Sequence, residues 1–282
     1  MIRKVTEQIQ GQRTKDGAGV SLVRVLGNQT ADAYDPFLML DAFDSANPDD
    51  FKAGFPMHPH RGIETVTFIA GGSMTHRDHL GTEMTVRDGE AQWLTAGSGA
   101  FHEEMPGGEH LIGTQLWLNL PAKDKMTAEP AYHGITRDEI REFPFPGGKL
   151  RLLTGTYQEY KGWQGKYLPL DYYDIHLDPH AELTIDVEEN RSAFVFTLLG
   201  DAEVSGTSVR EKTAARLGTG DQVTLKAGDA PSEILFMSSV RLDEPVAWYG
   251  PIVMNSEEEL YQAFKELNEG TFIKKEEKYD TI

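Results

Sequence analysis

Two short motifs, His58-Pro59-His60 and His102-Glu103-Glu104, offer side chains of the types that hold a metal ion. On a β-strand successive side chains point to opposite faces, so residues two apart share a face. That parity groups His58 with His60 and His102 with Glu104, and it turns Glu103 away. Three imidazoles and one carboxylate form a borderline nitrogen and oxygen donor set, which suits Fe(II), Mn, Ni, Cu or Zn. In an octahedron such a set leaves two positions open to reactants. Closed structural zinc sites usually employ Cys, and the chain has none. The expected chemistry is that of an open metal site.

Several neighbours bear on that site. Glu64 lies four residues after His60, so the same parity predicts an inward carboxylate. It is expected as a second-layer group that fixes a ligand histidine through its other ring nitrogen, or as a fifth ligand. Phe55, Phe101 and Trp117 could line an apolar slot for a flat aromatic molecule, whereas Met57 and Met105 have parity opposite to the ligands. His76 and His79, in a polar stretch after Gly71-Gly72, read as solvent-exposed loop. His110, His133, His176 and His180 lack a second ligand at paired spacing and are assigned no role.

The elements that must position these groups are strands. Short apolar alternations and β-branched runs broken by Gly, Pro and Asp dominate, for example Glu64 to Ile69, Leu116 to Leu120 and Phe194 to Leu199. One helix is expected near the end, where Ser256 and Glu259 form a capping box and Gly270 supplies a stop. Leu260, Ala263, Phe264 and Leu267 make its apolar stripe. A weak internal repeat sets Gly71 on Gly200, which predicts two barrels in one chain. Across that repeat His58, His60, His102 and Glu104 meet Val187, Glu189, Glu233 and Leu235, so the second barrel is expected to lack a metal. A linker is expected within Pro121 to Gly148.

Composition narrows the partners. A net charge of −18, with Lys and Arg scattered singly, argues against direct nucleic-acid binding. No apolar run reaches membrane-spanning length, and Met1-Ile2-Arg3-Lys4-Val5 opens no secretory signal. A cytoplasmic location without membrane association is expected.

From His58 onward, the spacing H-x-H, three residues, Glu64, six residues and Gly71 reproduces the first cupin motif. The second motif fits at Gly89, Thr95 and Gly97, with Thr in place of Pro, but His102 arrives two residues late and no Asn follows. This departure, with Phe55 to Val66, Gln92 to Gly97, His102 to Pro106, Gln115 to Leu120 and Gly250 to Asn255, resembles the pirin family. The matching blocks run from about residue 17 to 270, nearly the whole chain.

The resemblance implies an all-β fold of two cupin-type β-barrels in tandem, a bicupin, with a short C-terminal helix. Residues 1–130 would form the metal-binding barrel, and residues 131–282 a barrel without ligands plus the helix. It implies one divalent metal per chain, Fe(II) first, held by His58, His60, His102 and Glu104, with Glu64 in the second layer. Glu104 then replaces the first-motif Glu that serves other cupins. The activity implied is that of a quercetin 2,3-dioxygenase, an oxidoreductase that opens the ring of a flavonol or related enol with O₂, with Glu104 as catalytic proton acceptor. The alternative is an iron-containing regulator that binds a transcription factor or metabolic enzyme without physiological catalysis. The expected form is a monomer.

Overall fold

The computed structural model describes residues Met1 to Lys274, so residues 275–282 of the expected second domain lie outside the described residues. The chain is all-β, built on two large sheets. The first is centred on two long antiparallel strands, Ile63–Asp78 and Ala100–Asn119, which pair from Ile63↔Asn119 to Asp78↔His102. The run Ile63-Glu64-Thr65-Val66-Thr67-Phe68-Ile69 is rich in β-branched residues and buried on both faces. Such a run stabilises a central strand by packing on each side. The second sheet is ordered around Arg191–Leu199, Ser232–Val240 and Leu170–Leu177.

Parity along these strands separates two environments. Val66, Phe68, Trp93, Leu116 and Leu118 from the first sheet meet Leu170, Tyr172, Phe194, Phe196, Leu235 and Met237 from the second in one shared core. The large sheets therefore pack face to face. Inside the second barrel lies a separate apolar filling that includes Leu152, Tyr173, Ile175, Val195, Ile234 and Phe236. Ile234 and Phe236 point into that lumen, while Leu235 points to the shared core, so the repeat register runs one residue off here.

Chain order and sheet membership do not coincide. The strand Val5–Gln10 pairs with Thr213–Leu217 in the second sheet. Buried Arg3 fastens it there, donating to the Gly220, Arg191 and Glu188 carbonyls. The strand Ala131–Ile135, by contrast, pairs with Glu90–Thr95 in the first sheet, beyond the expected division at residue 130. The expected linker thus contains a short helix, Ala122–Lys125, and two strands, Ala131–Ile135 and Arg141–Phe145, one in each sheet.

The far end of the chain returns to the first barrel. Helix Glu257–Glu269 starts at Ser256, whose hydroxyl accepts from the Glu259 amide, and ends at Gly270 with φ 73°. Arg61 reaches this tail through Glu266 (2.8 Å) and the Phe272 carbonyl (2.6 Å). Gly62 sits at φ +80°, where a Cβ would lie 1.8 Å from the Val253 carbonyl oxygen, so only glycine lets the tail dock. Buried Lys125 clamps the same junction, its ammonium directed at the Gly62 and Val253 carbonyls (2.7 and 3.1 Å) and at Asn119 Oδ1 (2.5 Å).

Lys125→Met keeps the stem volume but removes the donor shared by three buried acceptors, of which the Gly62 carbonyl keeps the Leu120 amide at 3.4 Å. It should destabilise the fold by about 3 kcal/mol, in line with buried groups that lose charged donors. Urea unfolding of the two proteins, compared at equal slope, measures this.

Candidate metal centre

The strand Phe55–His60 pairs with the start of the long strand Ala100–Asn119, placing His58 directly opposite His102. His60 shares the face of His58 and is almost fully buried, as is His102. One ring nitrogen of each of His58, His60 and His102 lies within 4.8 Å of the other two.

Hydrogen bonding decides which nitrogen faces inward. His58 Nδ1 lies 2.9 Å from the Pro56 carbonyl and His60 Nδ1 lies 3.0 Å from the Pro251 carbonyl. A carbonyl only accepts, so both Nδ1 atoms carry the proton. His76 Nε2 lies 3.0 Å from the Asp78 carboxylate, which makes His76 Nδ1 the acceptor for His102 Nδ1 at 3.4 Å. All three Nε2 atoms then present lone pairs to one another. His58 Nε2 and His60 Nε2 are 3.0 Å apart, and His102 Nε2 is buried without a hydrogen-bond partner. Two donors ~2.1 Å from an ion and at right angles to each other sit ~3.0 Å apart. The donor set fits a metal.

Electrostatics favour the ligand form of the two fully buried rings. Burial, reinforced by His58, pulls the His60 pKa down to about 3, and burial with the neighbouring imidazoles holds His102 well below its ordinary value. Neutral imidazole is the form that binds metal.

Glu104 is buried beside this cluster, and its carboxylate stands outside the three-nitrogen group. Its Oε1 accepts from Thr67 (3.1 Å) and Gln92 (2.6 Å), and Oε2 accepts from Gln115. Glu103 points to the other face, where Arg77 donates to it at 2.9 Å.

Glu64 is not brought to the imidazoles. The positive φ at Gly62 breaks the strand between His60 and Ile63, so the two-residue parity does not carry across. Glu64 follows Val66 and Phe68 to the face between the barrels, where it accepts from Trp93 Nε1 (3.0 Å) and Thr95 Oγ1 (2.6 Å). Burial pushes its pKa up to about 7.

The expectation that His76 is an exposed loop residue is overturned. Gly71 and Gly72 shift the register of the long strand without ending it, and His76 lands fully buried opposite Glu104. It stacks on Tyr132 at 4.1 Å, and the Tyr132 hydroxyl donates to Gln92 (3.0 Å), which holds Glu104. One network therefore orients both His102 and Glu104. His79 is half-buried just beyond the strand end, and its Nδ1 accepts from the Phe101 amide at 3.3 Å.

A cavity of about 660 Å³ opens onto His58, His60 and Gln115. Its apolar walls are Met39, Phe55, Trp117, Trp248 and Tyr249, with Arg24 and Asp41 on the polar side. Of the residues expected to form the slot, Phe55 and Trp117 do so, whereas Phe101 packs on Phe272. Trp248, Tyr249 and Pro251 stand far from the histidine motifs in sequence, and the Gly250-Pro251 block is the trace that local spacing gives of them.

Comparison with known proteins shows which family the chain and its fold belong to. The Pirin family profile matches residues 19–118, and the profile of the Pirin C-terminal cupin domain matches residues 172–273. The chain is 37% identical over 276 residues to a pirin-like protein of Caulobacter vibrioides, covering 96% of this chain and 99% of the relative. The chain belongs to the pirin family. Human pirin is 35% identical over 268 residues, covering 93% of this chain and 91% of its own. The crystal structure of a quercetin 2,3-dioxygenase from Acinetobacter baumannii superposes with a TM-score of 0.88 at 30% identity, over 96% of this chain and 99% of that one. The two barrels are thus the tandem cupin domains of a pirin.

His76→Ala removes the acceptor that fixes the His102 tautomer. Outer partners of metal ligands are typically worth 10–100-fold in affinity, so zinc affinity, measured by chelator competition, should fall by ~10-fold or more. Replacement of a solvated loop histidine would leave it unchanged.

Proposed function

We propose that this pirin is a metal-dependent dioxygenase that opens the ring of quercetin or a related flavonol. One divalent metal, Fe(II) first, would be held by His58, His60, His102 and Glu104. The observation that carries the reading is the convergence of three imidazole lone pairs at the end of an aromatic-walled cavity. The Acinetobacter baumannii enzyme of the same fold is a quercetin 2,3-dioxygenase, which supports the substrate class.

When bound, the metal would join O₂ to the deprotonated flavonol and relay an electron between them. The remaining steps fall to the chain. At about 660 Å³ the cavity is within the usual size of small-molecule sites. Trp117 and Trp248, with ring centres 5.8 Å apart, and Phe55 offer flat surfaces to the substrate rings. Asp41, Arg24 and Gln115 supply polar partners for substrate hydroxyls. Glu104 accepts three hydrogen bonds, two on Oε1 and one on Oε2, so one acceptor position remains on Oε2. That position would serve the metal, and when the carboxylate exchanges one of its three donors for the flavonol 3-hydroxyl it takes that proton, leaving the anion that reacts with O₂.

Iron-loaded protein in air should bleach the visible absorbance of quercetin, stop with a chelator and recover when Fe(II) is restored. Metal-replete protein that leaves quercetin unchanged overturns the reading and returns the case to a regulatory iron protein.

Two substitutions separate the neighbouring carboxylates. Glu103→Gln should leave metal content and turnover unchanged. Glu104→Gln should lower turnover per bound metal by about 100-fold, the scale of a lost general base. Equal effects from both would refute the assignment. His60→Ala and His102→Ala should each lose the iron of the imidazole centre, as elemental analysis for iron will show.

A further inference from the structure

The local architecture of the imidazole cluster occurs a second time. Asp174 and His176 stand two apart on the strand Leu170–Leu177, and Glu233 lies directly opposite His176 on Ser232–Val240. One donor atom from each lies within 4.8 Å of the other two. In the first cluster His58 and His60 stand two apart and His102 lies directly opposite His58. Both are a same-face pair on one strand completed by a cross-strand partner, a construction that converges three donors without any loop.

The second trio is not in the lumen of the second barrel. Asp174 follows Tyr172, and Glu233 precedes Leu235, on the face toward the first sheet. The trio therefore sits in the seam between the barrels, beneath a cavity of about 430 Å³ that Phe68 and Ala70 of the first sheet also line.

Unfilled valences point to a ligand there. Asp174 is fully buried. Its Oδ2 accepts from Arg151 Nη1 (2.9 Å) and meets His176 Nε2 (3.0 Å), but its Oδ1 has no partner. Glu233 Oε1 is likewise buried and without a partner. Arg151 is already committed to Glu142 through Nε and to the Gly89 carbonyl through Nη2. Two carboxylates thus face one structural guanidinium and the His176 imidazole, and two of their oxygens lack any donor.

We propose that Asp174, His176 and Glu233 form a second divalent-cation site, distinct from the imidazole centre and located in the seam between the two barrels. One nitrogen and two oxygen donors suit Zn(II) or Mn(II), with water from the cavity completing the coordination. The ion would cross-link two central strands of the second sheet where they meet the first. The proposal is independent of the dioxygenase reading.

Equilibrium dialysis of chelator-stripped full-length protein against micromolar Zn(II) tests it. The parent should hold two zinc ions per chain, and His102→Ala and Glu233→Gln one each. The double variant should hold none. In the His102→Ala background zinc should still raise Tm, and Glu233→Gln should abolish that rise. Should Glu233→Gln fold poorly by circular dichroism, His176→Ala carries the same comparison, because His176 is partly exposed. A parent with one zinc that Glu233→Gln leaves in place overturns the proposal. So does a second zinc that survives both Glu233→Gln and His176→Ala. A zinc that persists in His102→Ala but is lost in Glu233→Gln supports the seam site, whatever the imidazole centre does.

Discussion

Three Nε2 lone pairs held against one another in a buried pocket are the constraint from which most of this structure follows. Facing lone pairs repel, and burial denies them the protons that water would supply. The arrangement survives only because each ring is tied at its other nitrogen by a group from a different part of the chain. Pro56 is local, His76 comes from the adjacent long strand, and Pro251 comes from the tail beyond the second barrel. Loosening any one of these would let a ring rotate and protonate inward.

That dependence gives a reason for the exchange of chain ends. The N-terminal strand completes the second sheet, and the C-terminal tail covers the first barrel. The tail contributes the Pro251 carbonyl to His60 and the Trp248 and Tyr249 walls to the cavity. A first barrel cut out at residue 130 would lack one tautomer-fixing acceptor and part of its binding wall. The two cupin domains are hence coupled through the site and not only through their shared apolar core. The second barrel, filled with Leu, Ile, Val and Phe, supplies the support from which the tail reaches back.

Much of this was legible in the residues. His58, His60 and His102 were marked by spacing alone, since strand parity holds within each short motif, and the outward turn of Glu103 follows from the same rule. The all-β class and the capped terminal helix were equally plain. Parity failed wherever backbone irregularity intervened. A glycine pair read as a turn is in fact a register shift inside a continuous strand, which buries His76. The contribution of Pro251 to His60 spans 191 positions, and nothing in local spacing could reveal it. Asp174 and Glu233 carry no motif, because a cross-strand pairing brings them together, and the repeat shows Glu233 only as the residue aligned with His102.

Gly62 links the most consequential of these departures. Its left-handed conformation between His60 and Ile63 resets the alternation, so Glu64 goes to the seam while Thr65 and Thr67 face the lumen. The carboxylate of the first motif is thereby withdrawn from the imidazoles, and its Oε1 accepts from Trp93 and Thr95 while its Oε2 stays buried without a partner. Glu104 provides a carboxylate on the lumen side in its place, and Thr67, one of the residues that the reset turns inward, donates to it. The same glycine accepts the tail at the Val253 carbonyl, which no side chain would permit. Exchange of the carboxylate and docking of the tail are consequences of one backbone conformation. Restoring a side chain at Gly62 would therefore disturb the cavity wall, the His60 tautomer and the placement of Glu64 together, although the residue itself contributes no atom to the metal.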